Sequence, residues 1–362
     1  MFYSLSLMTE NFGLKILENV PLAPLTTLKI GGAARFFVSA ESESDVVEAV
    51  GFARENSLEI FILGGGSNVL ISDKGFEGLV LQIALKGVSS FQKPDKTVYV
   101  TAQAGEDWDD FVESCVEKNL AGIECLSGIP GFVGGTPVQN VGAYGQEVSE
   151  TIVSVRAFDR KNNQIIELPN AECGFAYRTS IFNTTEKNRY IVLLVTYALK
   201  YNGAPKIVYR DLQNFFGEKK PDLKETRAAV LKIRAEKSMV IDAADPNSRS
   251  AGSFFKNPIV TNKKFSEIVG RAQALGIEEV PKFLVDAENV KIPAAWLVEK
   301  SGFHKGFRKG NAGLSTRHTL AIVNTGGADA ADILNLKDEI QNKVEENFDI
   351  TLAAEPVFVG FD

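Results

Sequence analysis

The chain has 362 residues, 44% of them hydrophobic, so it is long enough for two or three domains that each bury a core. Lysine and arginine total 39 against 46 aspartates and glutamates, and the net charge of −7 argues against a broad, non-specific grip on nucleic acid. No stretch approaches the ~18 uninterrupted apolar residues of a membrane span, so we expect a cytoplasmic protein with no membrane role. The sequence shows no sign of an obligate protein partner.

Between about residues 20 and 200 the pattern predicts short strands with few helices. Residues 45–56 have apolar side chains at helical spacing after a candidate cap, Ser44, and residues 108–120 form the second convincing helix. Runs of β-branched and aromatic residues between turn formers predict strands at 59–63, 79–83, 97–105, 151–158, 165–168 and 190–199. This composition is α+β, without the regular alternation of a doubly wound sheet.

After about residue 200 the balance moves towards helix. The predicted helices are 222–238, 263–276 and 328–348, and the predicted strands are 320–324 and 353–360. In the last helix, one apolar stripe at spacings of three and four faces a core: Ile333, Leu336, Ile340 and Val344. The sequence therefore predicts a first domain over residues 20–201 and a second, α/β domain over 202–362.

Glycines are concentrated in two clusters. The first, Gly64 to Gly66 with Ser67 and Asn68, follows a predicted strand, but β-branched residues and turn formers follow it instead of the helix that a Rossmann loop requires. Backbone amides of such a cluster can form a concave nest for phosphate, and a plain tight turn is the alternative.

The second cluster places six glycines and two prolines within residues 128–145. Prolines fix the path, glycines let backbone approach a ligand, and Thr136, Gln139 and Asn140 supply hydrogen-bonding groups for a flat polar molecule. A flexible linker would be richer in serine and poorer in large apolar residues.

Five motifs in order carry a resemblance to a known family. They are TTLKIGG (26–32), GGGSNVL (64–70), SGIPGFVGGTPVQNVGAYG (127–145), YRTSIF (177–182) and GSFFKNP (252–258). Together they resemble the UDP-N-acetylenolpyruvoylglucosamine reductase (MurB) family over about residues 22–360, in the branch with a substrate-covering tyrosine loop. The resemblance implies a vanillyl-alcohol-oxidase-type (PCMH-like) FAD-binding domain, a C-terminal α/β substrate-binding domain, and NADPH-dependent reduction of a UDP-sugar in peptidoglycan precursor synthesis.

The glycine clusters are then the expected FAD-binding segments. The candidate cofactor residues are Gly64, Gly65, Gly66, Ser67, Asn68, Gly128, Gly131, Gly134, Gly135, Thr136, Gln139, Asn140, Gly142 and Ala143. Because both histidines, His304 and His318, lie beyond residue 201, FAD cannot be attached through a histidine of this domain. Cys115, Cys125 and Cys173 are expected to be small buried residues, which makes the FAD non-covalent.

Three residues match the catalytic positions of the family. Arg178 is the expected cation on the substrate carboxylate, Ser253 the proton donor to C2, and Glu355 the partner of Arg178 in polarising the substrate. Residue type alone favours other interpretations: a surface arginine for Arg178, a turn or cap serine for Ser253, and an acidic residue near a strand for Glu355.

The resemblance also implies contacts to the substrate. Tyr177, Tyr209, Lys237 and Asn257 match positions that contact it, and His318 is a candidate beside the uracil. No metal is expected. A sugar oxidase on the same FAD scaffold, and a flavin-binding protein without catalysis, are the alternatives that the fold leaves open.

Overall fold

The computed structural model describes residues 13–361 and, before them, the short strand Leu7–Met8. The strands, numbered in chain order, are β1 (Leu7–Met8), β2 (Ile16–Pro21), β3 (Ala33–Ala40), β4 (Ile60–Leu63), β5 (Val69–Ile71), β6 (Phe76–Ile83), β7 (Val88–Gln92), β8 (Thr97–Gln103), β9 (Leu120–Ala121), β10 (Gly142–Ala143), β11 (Gln146–Glu147), β12 (Ile152–Asp159), β13 (Gln164–Pro169), β14 (Tyr190–Tyr201), β15 (Ile259–Thr261), β16 (Phe283–Leu284), β17 (Asn289–Lys291), β18 (Arg308–Lys309), β19 (Ala312–Leu314), β20 (Ile322–Asn324) and β21 (Val357–Val359).

Helices separate these strands. The α-helices are α1 (Glu43–Glu55), α2 (Trp108–Glu117), α3 (Arg210–Phe216), α4 (Leu223–Glu236), α5 (Asn262–Ala274), α6 (Ala294–Lys300) and α7 (Ala330–Phe348). Short 3₁₀ helices cover Ala23–Leu25, Glu124–Leu126, Val133–Gly135, Val148–Glu150, Asn170–Glu172, Ile181–Asn183 and Pro246–Ser248. Reciprocal capping boxes start α4 at Asp222 and α7 at Asp329, where each side chain accepts from the third helical amide.

The chain forms two compact units, and the first holds two large sheets and the small antiparallel pair β10-β11. It contains the described residues within Met1–Pro21 together with Ala33–Gly66 and Phe76–Val240. One sheet has the order β1-β2-β3-β6-β4, with β6 parallel to both of its neighbours. The other is antiparallel in the order β13-β12-β14-β8-β7, with β9 added to β14.

An aromatic cluster lies at the centre of the first unit's core. Tyr197 is fully buried, and its ring centroid lies 5.9 Å from that of Trp108 and 5.3 Å from that of Phe111. Its hydroxyl lies 2.9 Å from Oγ1 of Thr136, which itself donates to the Val133 carbonyl. Thr136 has one hydroxyl hydrogen, so Tyr197 is the donor, and the second glycine cluster is bonded to this core.

The second unit gathers three separate stretches of chain: Leu22–Gly32, Ser67–Gly75 and Ile241–Asp362, the last described to residue 361. Its sheets are β15-β17-β16, β18-β19-β20 and the parallel pair β21-β5. Helix α7 lies across its core, and the predicted stripe of Ile333, Leu336, Ile340 and Val344 is fully buried, which confirms the sequence pattern.

The predicted elements of both halves are present, but some of their bounds were wrong. The strand predicted over 353–360 covers only Val357–Val359. Ser42, not Ser44, caps α1, because its side chain accepts from the Asp45 amide while the Asp45 carboxylate accepts from the Ser42 amide. Helix α2 ends at Glu117 instead of residue 120, because Asn119 takes a φ of +56° and Leu120 then pairs with β14.

The compact units also divide the chain differently from the predicted boundary at residue 202. Residues 202–240, with α3 and α4, pack into the first unit. Helix α4 buries Ala229, Val230 and Ile233 in a small cluster with Cys125 of that unit.

Removal of the buried hydroxyl should lower stability. In Tyr197→Phe the Thr136 oxygen loses its donor inside the core, so we expect the free energy of unfolding to fall by about 1 kcal/mol in urea titrations. Tyr99→Phe is the matched control, because the Tyr99 hydroxyl accepts from Lys93 at the surface, and it should stay within about 0.5 kcal/mol of the parent. Equal losses in the two variants would contradict the prediction.

Candidate active site

The first glycine cluster is a tight turn after β4. It leads into strand β5 and not into a helix, which confirms that it is no Rossmann loop. A Cβ placed on Gly65 would lie 2.7 Å from the Cα of Gly131, whereas one on Gly64 would meet no atom within 4 Å. The backbones of the two glycine clusters therefore touch at Gly65, and the space above Gly64 is open.

The second cluster is held against the core by backbone. The Gly131 carbonyl accepts from the Trp108 amide at 3.0 Å, and a Cβ on Gly134 would lie 2.6 Å from that of Ala104. At Gly135 nothing lies within 4 Å of an added Cβ. Two further residues that the sequence predicted as cofactor contacts, Gln139 and Ala143, lie half-buried later in the same cluster. Gly134 thus packs against protein, whereas Gly135 leaves open space beside the backbone, where a ligand can approach and a side chain would intrude.

An ion pair between buried Arg227 and half-buried Asp109 fixes the start of the second cluster. Asp109 accepts from the Gly128 amide at 2.6 Å and from two nitrogens of Arg227 at 2.5 and 3.0 Å. Burial alone would raise the pKa of Asp109, but these hydrogen bonds outweigh it and hold that pKa below its ordinary value. The Asp109 carboxylate thereby joins α2 to α4 directly and holds the Gly128 amide at the same point.

Arg234, two turns of α4 after Arg227, is also buried beside this segment. Its Nε donates to the Gly128 carbonyl at 3.3 Å and its Nη2 to the Met239 carbonyl at 2.7 Å. Burial lowers the pKa of Arg234, and a hydrogen bond with Tyr144 opposes that effect. One guanidinium therefore contacts both ends of the second glycine cluster.

Two predicted cofactor side chains point inward. Thr136 is bonded to the core as described, and Asn140, 1% exposed, donates to Glu147 at 2.8 Å and to the Ala176 carbonyl at 3.1 Å. The Asn140 oxygen accepts from the Ser149 amide. These side chains brace the protein, which leaves the backbone of the segment to face a ligand.

Arg178 lies at the tip of a tight turn in the first unit. Ala176 and Thr179 close the turn through two backbone hydrogen bonds, and Arg178 between them has a φ of +53°. A non-glycine residue in the left-handed backbone region is strained by ~1–3 kcal/mol, and such strained residues cluster at functional sites. Its Nη2 donates to the Gly142 carbonyl at 2.7 Å, and its guanidinium lies 5.3 Å from the centre of the Tyr177 ring.

Tyr209 and Lys237 also belong to the first unit, where they meet around Tyr144. The Tyr209 ring stands edge-on to that of Tyr144 at 5.5 Å, and Lys237 donates to Asp211 at 2.7 Å. Burial alone would lower the pKa of Lys237, but Asp211 and the two tyrosines outweigh it, so its pKa lies above the ordinary value. The ammonium group is therefore held charged.

Ser253 is set in the second unit by its neighbours. Gly252 takes a φ of +74°, a turn that favours glycine, and the next two rings, Phe254 and Phe255, are at most 2% exposed. The Phe254 amide donates to the Leu320 carbonyl at 2.8 Å. The two buried phenylalanine rings anchor this segment in the core of the second unit.

Glu355 lies on the segment next to Ser253. Its amide donates to the Phe254 carbonyl at 2.9 Å, and its own carbonyl accepts from Asn68 Nδ2 at 3.3 Å. Asn257 accepts from the Ala294 amide at the start of α6. The second unit thus brings together a proton-donor candidate, a carboxylate and the Asn68 of the first glycine motif.

His318 lies on the other side of Ser253. Its Nε2 is 3.3 Å from the Ser253 Oγ, and both side chains are half-buried. The sequence expectation had placed His318 beside the uracil, and nothing in the described structure tests that contact.

Sequence reasoning missed the residues that hold the site: Asp109, Arg227, Arg234, Tyr144 and Asp211. The sequence carried one signal of two of them: Arg227 and Arg234 are seven residues apart and so share a face of α4. In the structure both side chains are at most 8% exposed. Arginines are almost never buried without a partner, so two on one apolar helix face indicate acceptors opposite them.

Comparisons with known proteins identify the class of this fold. Residues 34–168 match the family described as an FAD binding domain, and residues 245–359 match the family described as "UDP-N-acetylenolpyruvoylglucosamine reductase, C-terminal domain". The chain is thus a flavoprotein oxidoreductase with an FAD-binding domain of the vanillyl-alcohol oxidase type.

Full-length relatives narrow this class to a family. A UDP-N-acetylenolpyruvoylglucosamine reductase from Thermobifida fusca (strain YX) is 45% identical over 98% of this chain and 99% of its own length. One from Streptomyces coelicolor is 44% identical over 95% of this chain and 90% of its own. The MurB crystal structure from Thermus caldophilus superposes with a TM-score of 0.64 at 26% identity, covering 96% of this chain and 99% of that one. The chain belongs to the UDP-N-acetylenolpyruvoylglucosamine reductase (MurB) family.

The described part of the chain offers neither a membrane-spanning helix nor a cluster of metal ligands. Across residues 13–361 no helix is both long and apolar enough to cross a membrane. Over the same residues no group of three or more His, Cys, Asp and Glu side chains is arranged to hold a metal ion.

The contact between the glycine clusters can be tested by adding one methyl group. Gly65→Ala would force the clusters apart, so we expect it to lower the free energy of unfolding of the FAD-free protein by about 1–3 kcal/mol and to weaken FAD binding. Gly64→Ala should leave FAD-free stability unchanged, because its methyl group meets no protein atom. Denaturant titration and flavin titration measure the two effects, and an FAD-free Gly65→Ala as stable as the parent would contradict the geometry.

Proposed function

We propose that this protein reduces UDP-N-acetylglucosamine enolpyruvate to UDP-N-acetylmuramate, with NADPH as electron donor and FAD as cofactor, in peptidoglycan precursor synthesis. The observation that carries the proposal is 45% identity to a reductase of that name over 98% of the chain. The presence of Arg178, Ser253 and Glu355 at the expected positions supports it.

FAD fits the glycine backbone of the first unit. When bound, it supplies the redox chemistry, taking two electrons from NADPH and passing them to the enolpyruvyl double bond. The open backbone at Gly64 and Gly135 can approach a flat ring and a diphosphate closely, and amides of successive glycines suit phosphate oxygens. The side chains of Gln139 and Ala143 lie along the same segment, half-buried.

The FAD should be bound without a covalent link. Burial raises the pKa of Cys115 and Cys173 to about 12 and that of Cys125 further, so none of these thiols is a ready nucleophile. Denaturation followed by filtration should release all yellow chromophore from the polypeptide. Yellow colour that stays with the protein would contradict this.

Arg178 is proposed as the cation on the substrate carboxylate. Reduction at C3 moves charge onto the carboxylate and its α-carbon, and a fixed guanidinium stabilises that charge more in the transition state than in the ground state. Glu355 is proposed to act with Arg178 in polarising the substrate, and Ser253 to give its hydroxyl proton to C2.

The proposed substrate contacts are those that the family resemblance implies. They are Tyr177, Tyr209, Lys237 and Asn257, with Tyr209 on the segment that covers the substrate. The assignment of the cofactor to residues 20–201 and of the substrate to residues 202–362 stays a proposal, with Tyr177 and Arg178 as substrate contacts inside the cofactor domain. A charged Lys237 suits the UDP diphosphate.

We also propose a cytoplasmic reaction that needs no partner protein. The three cysteines are unpaired and buried, which suits a reducing compartment, and a nucleotide-linked sugar and NADPH are both small soluble molecules.

Arg178→Lys tests the carboxylate contact. Both side chains face the same backbone penalty at this position, so the variant changes the head group alone, and a single ammonium cannot reproduce the planar fork. We expect FAD content and flavin reduction by NADPH to be retained and the sugar-dependent step to slow by about 10²- to 10³-fold. Arg160→Lys, whose guanidinium bonds the Asn188 carbonyl, is the matched control. Turnover of Arg178→Lys at the parent rate would remove Arg178 from this role.

One anaerobic experiment tests the function as a whole. The purified protein is reduced with NADPH without oxygen, and UDP-N-acetylglucosamine enolpyruvate is then added. The oxidised flavin spectrum should return, and mass spectrometry should show UDP-N-acetylmuramate. A flavin that only oxygen reoxidises would instead indicate a sugar oxidase.

A further inference from the structure

Ser253 and His318 are brought together by backbone as well as by side chains. The Phe254 amide donates to the Leu320 carbonyl at 2.8 Å, so the residue after Ser253 is tied to the segment that carries His318. The Ala321 amide closes a turn by donating to the His318 carbonyl at 3.1 Å. The 3.3 Å separation of Ser253 Oγ and His318 Nε2 is thus set by two fixed segments and not by long mobile side chains.

The chemistry of Ser253 decides which atom donates in this pair. A serine that protonates carbon must point its only hydroxyl hydrogen at that carbon, so it cannot point the same hydrogen at a histidine nitrogen. His318 must then be the donor through an Nε2–H group. With that arrangement the imidazole fixes the serine rotamer and leaves its proton for the substrate.

We propose that His318 is a positioning residue for the proton transfer, donating from Nε2 to the Ser253 oxygen. This inference rests on the proposed function and assigns His318 to the reacting end of the substrate, not to the uracil. In the proton transfer, the electron pair on C2 of the substrate takes the hydroxyl proton of Ser253 and forms a C–H bond. The electrons of the broken O–H bond stay on Oγ, which becomes an oxyanion. The Nε2–H hydrogen bond stabilises that oxyanion, and solvent water returns a proton to it.

Half-buried positions suit both parts of this role. Neither side chain is sealed from solvent, so water can reach the pair, and neither is fully exposed, so the hydrogen bond is not lost to bulk water. His304, the other histidine, is exposed and bonds the Lys305 carbonyl, which makes it a control outside the pair.

The kinetic test compares His318→Leu, His318→Gln and Ser253→Ala in the two half-reactions. Ser253→Ala should leave flavin reduction by NADPH nearly unchanged and slow flavin reoxidation by the saturating UDP-sugar by about 10²- to 10⁴-fold. His318→Leu should slow the same reoxidation by about 10- to 10³-fold with an unchanged substrate dissociation constant. His318→Gln keeps an N–H donor and should stay within a few-fold of the parent, as should His304→Gln.

Two kinetic outcomes would overturn the inference. A raised dissociation constant for the UDP-sugar in His318→Leu, with an unchanged rate at saturation, would return His318 to the uracil. Additive losses in the double variant Ser253→Ala/His318→Leu would show that the two residues act independently, whereas a shared step requires a double variant no slower than Ser253→Ala.

A measurement without substrate separates this inference from the proposed function. The chain has only two histidines, so nitrogen NMR of the histidine-labelled holoprotein shows two imidazoles, and His304→Gln assigns them. The neutral His318 ring should carry its hydrogen on Nε2, and Ser253→Ala should shift that nitrogen selectively. A hydrogen on Nδ1 would overturn the inference even if the enzyme is active, whereas an Nε2–H in a protein that fails the anaerobic test would leave the hydrogen bond intact and refute the proposed function alone.

Discussion

Close approach of two glycine backbones is the constraint on which the candidate FAD site depends. Gly65 meets Gly131 at a distance that no side chain permits, and this contact holds two loops together that are far apart in the chain. Asp109 then bonds the Gly128 amide, and α4 supplies Arg227 to the same carboxylate. The path of the cofactor segment is therefore set by backbone contacts and by one ion pair behind them.

The arginines behind this segment explain why the predicted domain boundary and the compact units differ. A boundary at residue 202 follows the change in composition from strand to helix, which is a property of local sequence. Helix α4 nevertheless packs into the first unit, because Arg227 and Arg234 carry charges that find their acceptors at Asp109 and Gly128. Burial of an arginine requires partners, and composition does not show where those partners lie.

Elements with strong periodicity could be predicted from sequence, whereas contacts between distant segments could not. The stripe of α7 and the strands around Tyr197 follow from local pattern alone. The left-handed turn at Arg178 could not be inferred, since nothing about an arginine indicates a positive φ. The site residues were found through motifs, but the pairing of Ser253 with His318 depends on how two segments 65 positions apart fold together.

The parallel pairing of β5 with β21 has a consequence for biosynthesis. Next to these strands, Asn68 donates to the Glu355 carbonyl 287 positions later in the chain. During synthesis, Asn68 and β5 therefore leave the ribosome long before the residues that they bind. At ~5–20 residues per second on a ribosome, that delay is about 15 to 60 s. During this interval Val69, Leu70 and Ile71 have no strand partner, and two of the three side chains are fully buried only in the finished protein. The nascent chain therefore carries an apolar segment in need of protection, and a fragment that starts at residue 241 would lack a strand of its own sheet.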